Sequence, residues 1–594
     1  MLFYIVCTGE GELHISPIVE VDRHGENSEV LLPGLPLAFA QNLLKPTKLR
    51  GKQRERNDIL KALQRTTGLS AQNWRWERVN TSDSKLNNKR AILKKDELDK
   101  KEELSIRIEG RQLSEIDLQR LGNESGLTFS EVIEFCEKQV WHGRAEWIPA
   151  VHKEGSGWSC QRCGETHIEE WPSIYGVAAT CPSCASIGAL SSLQVIYRCH
   201  PSRSCSSERE PLEKLSSHGS QAISGCENES IGFSPHWELS SAQKQASQEV
   251  LDYVSKDVSL ESKKHEKEIL LWAACGAGKT EVCFPAAAWA LNQGLKVLFA
   301  APRQDVVLDV APRLKRDFPG LDLSVLTGTS PERFASAKFV LATTHQVLRF
   351  YQSFDLIFLD EMDAFPYHGN MALAWGLQQA LKPSGKIVYL TATPSSDSLE
   401  KVRQGEMRMV RLPARHHRRA LPVPKWIKFS WDVGHEKPLK IGKEIGILSR
   451  LINDLAQSGP VLLFVPKISW VNPLVDLLHK EFPQWGISGS YSSDPQRREK
   501  IEGLRKKSFR LFVSTSILER GVTVPDAQVI VLAADHEVFD ERGLVQMAGR
   551  VGRTQENPEG RVLFLAKKQT PAIEKAIRWI EEQNALALEQ GLID

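Results

Sequence analysis

Short apolar runs alternate with helical patterns in two long stretches of the C-terminal part of this chain. The first stretch contains KEILLWAA, KVLFAAP, KFVLATT, LIFLDE and KIVYLTAT, and the second contains PVLLFVP, FRLFVSTS, VIVLAAD and RVLFLAK. Strands that are apolar along their whole length are typical of parallel sheets with helices on both faces. The pattern therefore predicts an α/β protein with two parallel-sheet lobes, over residues 236–415 and 425–594.

The segments before the lobes follow other patterns. Residues 1–150 are the least informative part of the chain, and we expect an α/β or mixed region of undefined function there. Residues 201–235 are poor in apolar residues and rich in Ser, Glu and Gly, which is typical of a linker.

Composition and charge narrow the class of protein. The 594 residues are 41% apolar and 25% charged, as in soluble globular proteins. A net charge of only +2 means that any nucleic-acid surface is a local patch. No stretch approaches the roughly 18 apolar residues of a membrane span, and MLFYIVCTGEGE lacks the features of a signal peptide. We therefore expect a cytoplasmic protein.

Two Cys-x-x-Cys pairs stand between the N-terminal region and the predicted linker. Cys160 and Cys163 form the first pair, and seventeen residues separate it from Cys181 and Cys184. This spacing brings four thiolates to one tetrahedral zinc ion, so residues 151–200 are predicted to form a small structural zinc domain. The alternative is free thiols or disulfides, and the other cysteines are interpreted as free thiols.

A phosphate-binding loop is predicted directly after the run EILLWAA. Its residues are Ala273, Ala274, Cys275, Gly276, Ala277, Gly278, Lys279 and Thr280. Small residues let backbone N–H groups close round a phosphate, and the start of the following helix favours its negative charge. Lys279 is predicted to reach the β- and γ-phosphates, and Thr280 to offer its hydroxyl to Mg²⁺.

The run LIFLDEMDAFPY ends in acids. Asp360 is predicted to hold Mg²⁺, and Glu361 to orient or deprotonate the water that attacks ATP. Both follow a strand, and ligands bind at the carboxyl ends of the strands in such sheets. Phe365, Pro366 and Tyr367 are interpreted either as a joint that senses a bound strand or as ordinary packing of a turn.

A further set of residues for the ATP site is predicted in the second lobe. The sequence QMAGRVGR carries Gln546, Arg550 and Arg553, with the two arginines expected on one helix face. Arginines delivered across a cleft neutralise the charge that develops on the γ-phosphate, so these residues indicate hydrolysis of ATP.

The ordered motifs LSSAQ, ACGAGKT, AAPRQ, LTG, TTHQ, LDEMD, TAT, TSILERGVTVP and QMAGRVGR resemble those of superfamily 2 helicases. The resemblance implies two tandem RecA-like lobes, preceded here by a four-cysteine segment. It implies that Gln243 recognises the adenine base and that Glu519 and Gly521 lie near the nucleotide. It also implies that Thr391 and Thr393 couple the ATP site to movement of the lobes. It places four residues near a nucleic-acid backbone, namely Arg303, Thr344, Gln346 and Thr515.

Within that superfamily, DEMDAFPY and a four-cysteine segment ahead of the motor resemble the ComFA competence ATPases. This resemblance implies a DNA-dependent ATPase that uses ATP, Mg²⁺ and Zn²⁺ and translocates on single-stranded DNA to import transforming DNA. The implied partners are single-stranded DNA, a phosphoribosyltransferase-like ComFC protein and a membrane uptake channel. The resemblance is also compatible with a location at the inner face of the cell membrane and with an oligomer.

Two other interpretations stay open from the sequence. One is a helicase acting on RNA or in replication restart, like PriA, which carries its cysteines inside the second motor lobe. The other is a zinc-dependent nucleic-acid binding protein whose nucleotide site acts only as a switch. Glu361, Arg550 and Arg553 argue against the switch, because a switch needs no hydrolytic groups.

Overall fold

The chain is seen in a computed structural model that describes residues 1–8, 12–18, 28–44, 52–67, 73–78, 95–155, 157–201, 232–256, 267–331, 333–430, 443–518, 524–553 and 558–593. The predicted linker lies almost wholly outside these residues, as do Glu519 and Gly521. Two compact units are present. The first comprises Met1–Glu229, Ser324–Asp355 and Gly369–Gly385, and the second comprises Ser230–Leu323, Leu356–His368 and Lys386–Asp594.

The N-terminal region begins with a four-stranded antiparallel sheet of order β2-β1-β3-β4. Its strands are β1 (Tyr4–Cys7), β2 (Leu13–Ser16), β3 (Glu29–Leu32) and β4 (Arg75–Arg78), and its helices are α1 (Leu37–Leu44) and α2 (Lys52–Thr67). Apolar residues of the sheet and both helices, including Ile5, Leu31 and Ile59, form one buried cluster. The prediction of a mixed α/β region is consistent with this arrangement.

A second antiparallel sheet follows in the same unit, with the order β5-β12-β6. It contains β5 (Gln112–Ser114), β6 (Ala145–Pro149) and β12 (Val195–Cys199), and is accompanied by α3 (Lys95–Ile108), α4 (Glu115–Ser125) and α5 (Phe129–Trp141). Ser114 and Thr128 begin α4 and α5 with capping boxes, in which Asp117 and Glu131 complete the reciprocal hydrogen bonds. These caps set the start of each helix.

The four-cysteine segment consists of short strands between β6 and β12. The strands β7 (Val151–Glu154) and β8 (Gly157–Cys160) form a hairpin, and β9 (Glu169–Ser173), β10 (Gly176–Cys181) and β11 (Leu190–Ser191) form a three-stranded sheet. A 3₁₀ helix covers Pro182–Ile187. Because β12 pairs with β5 and β6, this segment is inserted into the preceding region.

The first large sheet has the order β15-β16-β14-β17-β18-β13-β19. Its strands are β13 (Glu268–Ala273), β14 (Val297–Ala301), β15 (Leu323–Leu326), β16 (Phe339–Thr343), β17 (Phe354–Asp360), β18 (Leu381–Thr391) and β19 (Arg408–Leu412). The helices are α6 (Ser241–Ser255), α7 (Lys279–Asn292), α8 (Gln304–Asp317), α9 (Thr344–Val347), α10 (Met371–Ala380) and α11 (Ser396–Arg403). Strand β13 pairs in parallel with β18 and β19, and β14 with β17.

The second large sheet has the order β20-β25-β24-β21-β23-β22, with parallel pairing throughout. Its strands are β20 (Lys425–Lys428), β21 (Val461–Phe464), β22 (Ile487–Ser490), β23 (Leu511–Ser514), β24 (Gln528–Leu532) and β25 (Val562–Ala566). Its helices are α12 (Lys443–Ala456), α13 (Ile468–Glu481), α14 (Arg497–Arg505), α15 (Glu541–Ala548) and α16 (Pro571–Glu589).

The predicted fold class is therefore confirmed, with two RecA-like parallel-sheet lobes after an N-terminal region. All nine apolar runs quoted above form strands of these two sheets. Central strands such as β14 and β24 are buried at every position, which is the physical origin of their uninterrupted apolar sequence. Across the described residues, no helix has the length and apolar character needed to span a membrane.

Candidate nucleotide and metal sites

The predicted phosphate loop joins β13 to α7. Gly276 and Gly278 have positive φ values of 80° and 77°, a conformation that glycine adopts without strain. The Ala277 N–H donates to the Ala274 carbonyl across the turn, at 3.0 Å. Helix α7 starts at Lys279, so its first free N–H groups lie at the loop, where an anion binds.

Lys279 contacts the acid at the end of β17. Its Nζ lies 2.9 Å from Oδ1 of Asp360, and both side chains are largely buried. Burial lowers the pKa of Lys279, but the carboxylates of Asp360, Glu361 and Asp363 outweigh it, so the net shift is upward. Burial raises the pKa of Asp360, and Lys279 opposes that shift. Three buried acids face one lysine, a negative surplus that suits a magnesium ion.

Glu361 has an unusual backbone. Its φ is +54°, in the left-handed region that non-glycine residues rarely adopt, and its N–H donates to Oδ1 of Asp360 at 2.8 Å. Such a conformation costs of order 1 kcal/mol and is typical of functional sites.

Asp363 acts as an acceptor for two threonines. The Thr391 hydroxyl donates to its Oδ1 at 2.6 Å, and the Thr393 hydroxyl donates to its Oδ2. All three side chains are buried. Asp363 therefore connects the loop after β17 to the end of β18. The sequence did not predict this role, because the two threonines are 28 and 30 residues away in the chain.

Gln243 lies against the phosphate loop. Its Oε1 accepts from the Ser240 N–H at 2.9 Å, and its Nε2 donates to the Ala277 carbonyl at 2.8 Å. The first bond caps α6, and the second fixes the loop. Recognition of adenine by Gln243 stays a prediction. It requires Gln243 to replace at least one of these two hydrogen bonds with a bond to the base.

The arginine turn (Gly549–Arg553) follows α15 and approaches the phosphate loop. A Cβ added to Gly549 would overlap the Cβ of Cys275, and one added to Gly276 would lie 3.7 Å from Cγ of Arg553. Burial lowers the pKa of Arg553, and nearby Glu361 opposes that shift. Arg550 and Gln546 are each only 3% exposed. Gly549 and Arg553 therefore lie at the phosphate loop, and for Arg550 and Gln546 a role at the ATP site stays a prediction.

One detail of that prediction is wrong. Helix α15 ends at Ala548, so Arg550 and Arg553 do not share a helix face. Gly549 caps the helix, and Gly552, with φ of 63°, turns the chain sharply. The spacing of three residues is therefore set by a turn and not by the helical period.

The predicted nucleic-acid contacts all follow strand ends. Arg303 comes after β14, Thr344 after β16 and Thr515 after β23. Carboxyl ends of parallel strands are where ligands of such sheets bind. The placement is consistent with backbone contacts, although Thr344 is only 1% exposed. Contact of these residues with nucleic acid stays a prediction.

Gln346 in α9 is oriented by a neighbouring arginine. Nη1 of Arg349 donates to Oε1 of Gln346 at 2.7 Å, and Nε of Arg349 lies 3.3 Å from Oδ1 of Asp117. Both charged side chains are buried. Because Arg349 can only donate, it holds the amide oxygen and leaves the Nε2 donor for another acceptor.

We predict that Gln346→Glu weakens binding of single-stranded DNA by roughly 10-fold, because a carboxylate cannot donate to a phosphate. The new carboxylate keeps the contact with Arg349, so the melting temperature should stay within a few degrees. Fluorescence anisotropy with a labelled oligonucleotide measures the change. Gln139→Glu, which adds the same charge on α5, is the control, and equal affinities of the two variants would contradict the prediction.

The four predicted zinc ligands lie together. Their sulfur atoms are within 4.8 Å of one another, with 3.7 Å between Cys160 and Cys184 and 3.5 Å between Cys163 and Cys181. Tetrahedral zinc with bonds of about 2.3 Å separates its sulfurs by about 3.8 Å. All four cysteines are buried. The donor set and its geometry therefore fit zinc.

Arg162 supplies positive charge at this cluster. It is 1% exposed, and its Nε donates to Sγ of Cys184 at 3.3 Å. Four thiolates and one zinc ion carry a net charge of −2, so a buried guanidinium compensates part of that charge. Sequence reasoning did not single out Arg162, since an Arg inside Cys-x-x-Cys has no distinctive spacing.

We predict that Cys163→Ser abolishes zinc retention and lowers the melting temperature by roughly 5–10 °C, because a lost metal site removes several kcal/mol of folding free energy. Zinc content by atomic emission and thermal unfolding by circular dichroism measure the two effects. Cys7→Ser, a buried cysteine outside the cluster, should retain zinc. Retention of stoichiometric zinc by Cys163→Ser would show that the site is not the predicted one.

Two family models match the part of the chain that forms the two lobes. The family model "Type III restriction enzyme, res subunit" matches residues 236–396, and "Helicase conserved C-terminal domain" matches residues 443–555. The solved structure of RecG bound to a three-way DNA junction is 18% identical, with a TM-score of 0.42, over 60% of this chain and 46% of RecG.

Two curated relatives carry the same description. Competence protein ComFA of Bacillus subtilis is 35% identical over 464 residues, which cover 77% of this chain and 92% of the relative. Competence protein ComFA of Streptococcus pneumoniae is 33% identical over 441 residues, which cover 74% and 93%. By these similarities and the two helicase models, this chain belongs to the ComFA family of competence proteins within the superfamily 2 helicases.

Proposed function

We propose that this protein is a motor that hydrolyses ATP to move along single-stranded DNA, driving the import of transforming DNA during competence. Helicase-family membership supports a nucleic-acid-dependent ATPase. The observation that carries the proposal is the approach of the arginine turn to the phosphate loop at Gly276. Because both lobes contribute residues to this site, binding and hydrolysis of ATP would change the contact between the lobes in each cycle.

The residues divide the chemistry among themselves. Backbone N–H groups of the phosphate loop and Lys279 hold the phosphates, and Glu361 accepts the proton of the attacking water. Mg²⁺ bound by Thr280 and Asp360 would supply charge compensation. Arg550 and Arg553 stabilise the charge that develops on the γ-phosphate, and Asp363 relays a change at the acids to Thr391 and Thr393.

Phosphate release stimulated by different nucleic acids tests the proposal. Single-stranded DNA should raise the ATPase rate more than forked DNA or RNA of the same length. Displacement of streptavidin from a biotinylated oligonucleotide then measures translocation. Stronger stimulation by forked DNA would favour replication restart, stronger stimulation by RNA would favour an RNA helicase, and ATP binding without DNA-dependent release would favour a nucleotide switch.

The proposed setting is the inner face of the cell membrane. There the protein would meet single-stranded DNA at an uptake channel and act with a phosphoribosyltransferase-like ComFC protein. The ComFA relatives support competence as the process, since both are named competence proteins. Co-purification with ComFC and with membrane fractions tests these partners.

Phe365 is the expected sensor of the strand. It is 85% exposed, and the Ala364 N–H before it donates to the Glu361 carbonyl at 2.8 Å. At the other end of the loop, Nε2 of His368 lies 2.9 Å from Nη1 of Arg542 in α15. The exposure of its ring and these connections of its loop support a role in which Phe365 stacks on a base and affects both Glu361 and the second lobe.

We predict that Phe365→Ala reduces stimulation by single-stranded DNA about 5- to 10-fold, because base stacking is worth roughly 1–3 kcal/mol. An oligonucleotide with abasic sites should stimulate the wild type as weakly as intact DNA stimulates the variant. Phe365→Trp, which retains a stacking ring, is the control. Equal stimulation of wild type and Phe365→Ala would assign Phe365 to another role.

A further inference from the structure

Arg415 lies between β19 and β20, in the segment that connects the two large sheets, and is only 1% exposed. Its guanidinium donates to carbonyls on both sides. Nε donates to Cys275 of the phosphate loop at 2.8 Å, and Nη1 donates to Val551 at 2.7 Å. Nη1 also donates to Gly552, and Nη2 to Gly549 at 3.3 Å. One side chain therefore joins the loop that holds phosphate to the turn that carries the two arginines.

This burial is costly. A guanidinium is normally buried with a carboxylate, whereas the partners of Arg415 among the described residues are backbone carbonyls. Burial, with a smaller contribution from nearby Arg553, lowers the pKa of Arg415 to about 9. Gly549 is the C-cap of α15, so its carbonyl carries part of the negative charge of a helix C-terminus, which offsets part of the cost.

Glycines make room for this side chain. A Cβ on Gly276 would lie 3.4 Å from Nε of Arg415, and a Cβ on Gly552 would lie 3.1 Å from its Nη1. Both glycines have positive φ values. The phosphate loop and the arginine turn therefore both approach Arg415 closely.

The hydrogen bonds of Arg415 fix the backbone orientation of the phosphate loop and of the arginine turn. A peptide unit is planar, with its C=O and N–H in opposite directions. With the Cys275 carbonyl directed at Arg415, the Gly276 N–H is directed to the opposite side of the loop. On the other side, the carbonyls of Gly549, Val551 and Gly552 fix the backbone from which Arg550 and Arg553 extend.

We propose that Arg415 is a positioning residue for ATP hydrolysis, which fixes the arginine turn on the phosphate loop so that Arg553 reaches the γ-phosphate. It contacts backbone and acts through Arg553. The inference deepens the proposed function and rests on it. It assigns to the segment between the lobes a part in the ATP site, and not only the role of a connection.

Arg415→Met tests the proposal, because it keeps the length of the side chain without its charge or donors. We expect kcat with saturating single-stranded DNA to fall by about 10²-fold, as for a misplacement of about 1 Å, while the Kd for DNA changes little. Arg415→Lys should recover part of the rate, since it restores one donor. Arg419→Ala, an exposed arginine of the same segment, should equal the wild type.

The decisive measurement is the double variant with Arg553→Ala. If Arg415 acts through Arg553, Arg415→Met should cause little further loss in that background. Losses that multiply would overturn the proposal, as would wild-type kcat in Arg415→Met. If Arg415→Met does not fold, wild-type kcat in a folded Arg415→Lys would overturn it equally. A wild type without DNA-stimulated hydrolysis would overturn the proposed function and this inference together.

Discussion

Lys279→Ala is expected to lower the DNA-stimulated ATPase rate by about 10³-fold, since one charged donor on a developing anion is worth that much in a buried site. The side chain has its Nζ 2.9 Å from Asp360, at the start of α7, where phosphate oxygens would replace the carboxylate. Its removal takes away the positive charge that faces three buried acids. The affinity for ATP should therefore fall as well.

Binding of single-stranded DNA should persist in this variant, because no predicted backbone contact includes Lys279. Phosphate release measures hydrolysis, and anisotropy measures the binding of DNA. Lys382→Ala is a matched control, since Lys382 also pairs with an aspartate, Asp355, at 2.8 Å but lies outside the phosphate loop. Undiminished turnover by Lys279→Ala would contradict the proposed ATP site.

Arg553→Ala is expected to lower kcat by about 10³-fold, the lower limit for arginines that act on a transferring phosphoryl group. Its Cγ would lie 3.7 Å from a Cβ on Gly276, so its guanidinium is within reach of the loop. Because the charge that it stabilises develops only in the transition state, the Kd for ATP should change by less than about 3-fold.

A fluorescent nucleotide titration and steady-state kinetics separate these two effects. Arg561→Ala is the control in the same lobe, because Arg561 pairs with the largely exposed Asp454 at 2.7 Å, outside the residues of the ATP site. A large loss of nucleotide affinity with unchanged kcat would place Arg553 in ground-state binding. It would also remove the support for a site completed by the second lobe.

The sequence predicted the central strands better than the edge strands. Every quoted apolar run became a strand, whereas β15, β19, β20 and β22 were not predicted. These four lie at the edges of the two large sheets. An edge strand is covered less completely, as the exposed ends of β20 show, so its sequence keeps polar positions. The pattern that identifies a buried strand is weaker there.

The candidate site divides in the same way. The phosphate loop, the acids at the end of β17 and the four cysteines were predictable, because each depends on residues close together in the chain. The roles of Asp363 and Arg415 were not. Asp363 bonds to threonines 28 and 30 residues away, and Arg415 bonds to a carbonyl 140 residues away.

The sequence by itself therefore determined the fold class, the family resemblance and the position of each motif. Apolar runs, glycine positions and Cys-x-x-Cys spacing reflect local backbone geometry, which neighbouring residues dictate. Only the tertiary structure decided that a turn, and not a helix face, carries Arg550 and Arg553, and that Arg415 joins this turn to the phosphate loop. Such contacts depend on how distant elements pack, and no short spacing in the chain records them.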